Sequence, residues 1–267
     1  MRPVAASPLI YRSMKDRVPL EIRKHLGEVL DRGRENAKET RLYFRADDMG
    51  VPGKKAFLLM EMFKANGVPL NLALVPAWLT QQRWEAIRPF ARKAGSLFSW
   101  HQHGWRHVNH ESVGKKQEFG LSRKIQDIKR ELIQGTHRLT SLVGKRYCPV
   151  FTPPWNRCDK RTLALVAALG FYAVSRDFGC IPPSPAGLRD FPVHVDLHTR
   201  KDESPARGWE GLFNDLAAGL ESGQCGIMVH HARMDGPAFV FLEYLIEEIQ
   251  KNSWIIPVTF DQLIGNG

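Results

Sequence analysis

Asp47 and Asp48 close an apolar run, Leu42-Tyr43-Phe44-Arg45-Ala46, and His103 and His107 follow in His-Gly-Trp-Arg-His. One carboxylate and two imidazoles form a three-ligand set for a catalytic divalent ion, with a coordination position left open for water. The other aspartate is then free to act as a base. Neighbouring side chains on an extended strand point to opposite faces, so a turn at Met49-Gly50 is needed to bring both carboxylates into one site. Taken alone, an Asp-Asp pair is equally well a turn or helix cap.

Histidines four apart share one face of a helical turn and can chelate one ion. Residues 104–106 are Gly, Trp and Arg, so the glutamate base of a zincin HExxH is missing. His101 and His110 raise the count to four histidines in ten residues, which points to metal, with an adventitious surface site as the competing reading. Farther on, His194, Asp196 and His198 alternate onto one face and read as satisfied structural residues. Four cysteines, Cys148, Cys158, Cys180 and Cys225, lack CxxC spacing, which predicts reduced, buried thiols in a cytoplasmic setting.

The elements that must position these groups follow from hydrophobic periodicity. Strands are expected at 41–46, 70–75, 96–101, 147–152, 171–175, 191–196, 225–230 and 254–257. Helices are expected near 54–66, 80–94, 121–143, 159–169, 208–221 and 236–250. The helix at 121–143 puts Leu121, Ile125, Ile128, Leu132, Leu139 and Leu142 on one face, and Gly144 stops it. Alternating strands and helices read as α/β with mostly parallel strands. Residues 1–40 form an irregular start and an amphipathic helix packed outside the core, leaving 41–267 as one catalytic domain. The unusual polar residues, Asp47-Asp48, His103 and His107, Pro153-Pro154-Trp155-Asn156, Arg176-Asp177 and His230-His231, all follow strands. In a barrel those C-terminal ends converge on one mouth. The Pro- and Gly-rich stretch 181–187 is a loop.

In order, these motifs resemble the polysaccharide deacetylases of the NodB-homology group (carbohydrate esterase family 4), over roughly residues 41 to 260. The family pattern is an aspartate pair after the first strand, HxxxH, an Arg-x-Pro-aromatic loop, a further aspartate and a terminal Leu-x-Leu-His. Here it corresponds to Asp47-Asp48, His103 to His107, Thr152-Pro153-Pro154-Trp155, Asp177 and Ile227-Met228-Val229-His230. The resemblance implies a single-domain distorted (β/α)7-type barrel with its site at the C-terminal strand ends. It makes Asp48, His103 and His107 the metal ligands, Asp47 the base and His230 the acid. Trp155, through its backbone N–H, would help to hold the oxyanion, with Pro154 and Asn156 beside it. Two departures stand out. Phe151-Thr152 occupies the place of the family arginine, so Arg157 or Asn156 would have to support the base, with Asp177 as partner. His231 follows His230 where the family has one histidine.

The implied activity is metal-dependent removal of an N-acyl group, N-acetyl by default, from an amino sugar, a glycan or a lipid-linked precursor. Zinc is the default ion, with other first-row divalent ions as competitors. The alternatives are a deformylase or small-amide hydrolase, or a non-catalytic carbohydrate-binding barrel. Lys and Arg exceed Asp and Glu by 38 against 28, giving a net charge of +10 that favours an anionic substrate or a solvated basic exterior. No nucleic-acid motif accompanies that charge. No run is long enough to span a bilayer, and the start lacks a signal-peptide h-region, so a cytoplasmic protein is expected. Oligomeric state is not encoded in any motif.

Overall fold

A computed structural model describes residues 7–12, 14–36 and 39–265, so the expected irregular start falls partly outside the described residues. The chain order is α1 (Leu20–Asn36), β1 (Thr40–Met49), α2 (Lys54–Ala65), β2 (Leu70–Leu74), α3 (Gln81–Ala94), β3 (Phe98–His103) and α4 (Ile125–Val143). It continues with β4 (Tyr147–Thr152), α5 (Lys160–Ala168), β5 (Ala173–Val174), β6 (Arg189–Asp190), β7 (Val195–Asp196), α6 (Pro205–Glu221), β8 (Gln224–Val229), α7 (Gly236–Gln250), β9 (Ile255–Pro257) and α8 (Phe260–Gly265). The alternation of strand and helix is the expected one.

The chain divides into two compact units, Met1–Ala46 with Gly53–Leu70 and His194–Val258, and Asp47–Pro52 with Asn71–Val193 and Thr259–Gly267. In the first, β1 pairs in parallel with both β8 and β9, and β7 pairs with β8. Arg41 to Ala46 run in register with Gln224 to Val229. Leu42, Tyr43, Phe44 and Ala46 face Cys225, Ile227 and Val229 along strands buried on both sides, the signature of a parallel sheet covered by helices. Helix α1 packs against α6, and Gly33 admits the Trp254 ring to 2.8 Å from where a Cβ would stand.

In the second unit the strand order is β2-β3-β4-β5-β6, with parallel pairing from β3 to β6. Side chains alternate along β3. Gln102 turns toward α4, where its amide donates to the Leu132 carbonyl (3.4 Å) and accepts from Thr136 Oγ1 (3.0 Å). Gly135 makes room for it, since a Cβ there would lie 2.2 Å from Gln102 Nε2. This contact interrupts the apolar stripe of α4, whose buried residues are Ile128, Leu132, Gly135, Leu139 and Val143.

Several boundaries differ from expectation for identifiable reasons. Helix α4 starts at Ile125 rather than 121; Leu121 lies in the preceding turn and is exposed. It ends where expected, with Gly144 at φ 67°. Residues 95–97 form a 3-10 turn, so β3 begins at Phe98 and runs two residues past its expected end, into His103. The starts of α3, α5, α6 and α7 are capped by side chains: Thr80, Asp159, Ser204 and Asp235 accept from Arg83, Thr162, Arg207 and Ala238 N–H groups. The 181–187 loop is pinned by buried Arg176, which donates to the Pro182 carbonyl (2.8 Å), Ser184 Oγ (3.1 Å) and Asp190 (2.5 Å). All four cysteines are free, and burial raises the Cys158 and Cys225 thiols to about 12. No helix among the described residues is long and apolar enough to cross a membrane.

Candidate metal centre

The end of β1 does not wait for Met49-Gly50 to turn. Asp48 itself takes a left-handed conformation (φ 59°), which breaks the alternation that would have sent Asp47 and Asp48 to opposite faces. Among the described residues, three other non-glycine residues share this uncommon conformation: His107 (φ 57°), Trp155 (φ 56°) and Asn156 (φ 59°). Each costs on the order of 1–3 kcal/mol, a cost that persists where surrounding contacts over-determine the backbone, and such residues cluster at functional sites.

Asp48, His103 and His107 offer ligand atoms that all lie within 4.8 Å of one another. His103 Nε2 is 3.4 Å and His107 Nε2 3.2 Å from the same Asp48 oxygen. His103 is buried, and its Nδ1 donates to the Thr152 carbonyl at 3.0 Å, so its lone pair sits on Nε2, facing Asp48. A backbone acceptor behind a ligating imidazole fixes tautomer and ring orientation in this way. The donor set, one carboxylate and two nitrogens of suitable tautomer, fits a first-row divalent ion and leaves a coordination position for water.

The two histidines reach this cluster without the helical turn that their spacing suggested. His103 ends β3, Gly104 turns the chain at φ 59°, and His107 returns the ring toward Asp48. Behind the turn lies Glu118, a fully buried carboxylate that accepts from the Trp105 N–H (3.1 Å) and the Arg106 N–H (2.6 Å). Burial raises its pKa and the two N–H groups oppose the rise. No motif announced Glu118, because its partners are backbone atoms. His101 and His110 stay out of the cluster. His101 Nε2 pairs with Thr152 Oγ1 at 3.0 Å and its ring meets Phe260, while His110 has its backbone tied to Gln117 in an outer loop.

Burial is the largest influence on both rings, but the outcomes differ. For His103 the bond and charge of Asp48, with the charge of Asp47, outweigh burial and raise its pKa above 6.5. For His107 burial prevails against Asp48, and the neighbouring His103 adds to it, giving a value of about 4. Physically, the shared carboxylate offsets the cost of burial on the deeper ring and not on the other. A cation at His103 Nε2 competes with a proton for that nitrogen. Metal affinity is therefore expected to fall by up to about tenfold per pH unit below the raised His103 pKa, and more steeply near pH 4, where His107 also protonates. Titrations with metal at pH 8, 7 and 6 check this, and an unchanged affinity would contradict it.

The Pro153–Arg157 turn stands against the cluster. The Trp155 ring lies 4.5 Å from that of His107, and Pro154 would be 2.6 Å from a Cβ on Gly104. Asn156 donates from Nδ2 to Asp177 at 2.6 Å, which gives Asp177 a neutral amide where the resemblance expects an arginine. Arg157 makes no ion pair among the described residues; its backbone N–H donates to the Pro154 carbonyl. Asp47 is buried, and its charge acts on both His103 and His107.

In the first unit, His230 follows β8 and His231 opens a 3-10 turn. The His230 N–H donates to His198 Nδ1 (3.1 Å) and the Gly226 N–H to His194 Nδ1 (3.3 Å), so both earlier histidines accept from the β8 backbone. Asp196 builds the turn between them, accepting from the His198 and Thr199 N–H groups at 3.0 and 2.8 Å.

The sequence matches no family model and no curated protein. Solved structures do match. A Mycobacterium smegmatis protein assigned to the polysaccharide deacetylases has 17% identity over 86% of this chain and 90% of its own, with a TM-score of 0.62. A family 4 acetyl xylan esterase from Clostridium thermocellum, in complex with a cobalt ion, has 12% identity over 84% and 91%, with a TM-score of 0.52. A Bacillus anthracis pseudoenzyme of the same CE4 family has 10% identity over 83% and 64%, with a TM-score of 0.50. The chain thus has the NodB-type (β/α) barrel fold of the family 4 carbohydrate esterases, as the motif order implied.

Proposed function

We propose that this protein is a metal-dependent hydrolase that removes an N-acyl group, N-acetyl in the first place, from an amino sugar of a glycan or glycan precursor. The observation that carries the reading is the Asp48–His103–His107 cluster, built on this fold beside a buried carboxylate, Asp47. A divalent ion held there supplies Lewis acidity and lowers the pKa of water toward neutrality. Asp47 accepts the proton of the attacking water. The Trp155 N–H donates to the oxyanion that develops on the acyl carbon, with the left-handed turn at 155–156 fixing its direction. His230 protonates the leaving amine, without which an amide is not readily expelled. The products are a carboxylate and a free amine. Zinc is the default ion, and the basic balance suits a substrate with an anionic or lipid-phosphate carrier.

The test is acetate release from N-acetylglucosamine oligomers by metal-loaded protein. His230→Ala is expected to lower kcat by about 10²–10⁴-fold and His231→Ala by less than about tenfold. The reverse order would move the acid to His231. A second reading, a carbohydrate-binding barrel without turnover, draws on Asn156 standing at Asp177 and on the pseudoenzyme of the same fold. Sugar binding with full metal and no acyl release from any N-acyl sugar would favour it.

A further inference from the structure

The first unit holds a separate cavity of about 370 Å³. Ser7, Arg12, His198, Arg200, Lys201 and Arg233 line it, with Asp202 and Glu203 as the opposing charges. Arg200 is neutralised by Asp202 (3.2 Å) and Asp215 (2.6 Å). Arg12, Lys201 and Arg233 make no ion pair among the described residues, so the cations of the lining outnumber its carboxylates, with Asp196 close by on the His198 and Thr199 N–H groups. Two polar atoms of the lining, Ser7 Oγ and His198 Nε2, are buried without a hydrogen-bond partner among the described residues. The state of His198 follows from its other nitrogen. Nδ1 accepts from the His230 N–H, so a neutral ring carries its proton on Nε2 as a donor. Burial, with the nearby His230, His231 and Arg233, keeps the ring neutral. A buried donor left unmade costs about 1–3 kcal/mol, and such groups call for a ligand, ion or water.

We propose that this cavity binds a phosphate-bearing ligand, with Arg12 and Arg233 supplying charge and His198 Nε2 and Ser7 Oγ donating hydrogen bonds to phosphate oxygens. Guanidinium groups match phosphate geometry, and neutral donors add direction without charge. The volume admits more than the phosphate itself, so a sugar phosphate is favoured over the free ion. The pocket sits one imidazole away from the backbone of His230, and it stands whether or not the metal centre turns over.

Calorimetric titration with N-acetylglucosamine 1-phosphate, and separately with inorganic phosphate, tests the site on the full chain. Saturable one-to-one binding is expected, tighter for the sugar phosphate. Arg233→Gln and Arg12→Gln should each weaken it at least about tenfold, a loss that mutation of a charged anchor commonly brings. The double variant Lys115→Gln/Lys116→Gln, which removes exposed charge elsewhere, should leave it unchanged. The His198 Nε2 resonance should shift on addition of the ligand. No saturation by either probe up to about 10 mM, or equal weakening in the Lys115/Lys116 control, would overturn the proposal. Tighter binding of inorganic phosphate would place the free ion there instead of the sugar phosphate.

Discussion

Asp47→Asn is expected to keep its metal and lose acyl release by about 10²–10⁴-fold, the range general-base catalysis contributes. The substitution keeps the shape of a buried side chain and removes only its capacity to accept a proton. Asp48 remains to bind the cation with His103 and His107. Asp47 helps to raise the His103 pKa and its charge also attracts the cation, so on neutralisation the easier deprotonation of His103 offsets part of the lost attraction and metal affinity near neutral pH should hold or fall slightly. The two readouts move apart, which no general loss of folding would produce. Activity within about tenfold of wild type would remove Asp47 as the base.

Gly104→Ala carries the largest expected structural effect. A Cβ at this position would stand 2.2 Å from Glu118 Oε2 and 2.6 Å from Pro154 Cγ, on a backbone at φ 59°. Overpacking and left-handed strain each cost about 1–3 kcal/mol, so a loss of roughly 2–6 kcal/mol in unfolding free energy is expected. Relief requires Glu118 to move, and Glu118 holds the Trp105 and Arg106 N–H groups that carry His107 back to Asp48. Stability and metal affinity should therefore fall together. Denaturant unfolding with a parallel metal titration measures both, and a variant as stable as wild type would mean that the turn is not held as described.

Much of this was legible in the residue order. The apolar runs of β1 and β8 and the stripe of α4 are strong periodic signals, and they place the Asp, His and Pro-Pro-Trp groups at strand ends. The short strands were less legible. β5, β6 and β7 have two residues each, and Arg189-Asp190 in β6 is polar, so the expected strand at 191–196 overlaps β7 and misses β6. The count of four histidines pointed to metal without separating ligands from neighbours, because composition carries no depth. His101 shares the face of His103 but lies two residues back along the strand, roughly 6–7 Å deeper, where it meets Thr152 and Phe260. Glu118 was invisible for the opposite reason, since a carboxylate that bonds only to backbone N–H groups leaves no partner pattern in the sequence. The four left-handed residues, none of them glycine, likewise could not be read from residue type, and they shape the site as much as its ligands do.

The central claim is that Asp48, His103 and His107 hold one divalent ion. Metal content by mass spectrometry, on tag-free wild type beside Asp48→Ala and His103→Ala, tests it most directly. About one equivalent in wild type and little in either variant is the predicted result. Equal or negligible metal in all three after reconstitution would contradict it, and with it the hydrolase mechanism.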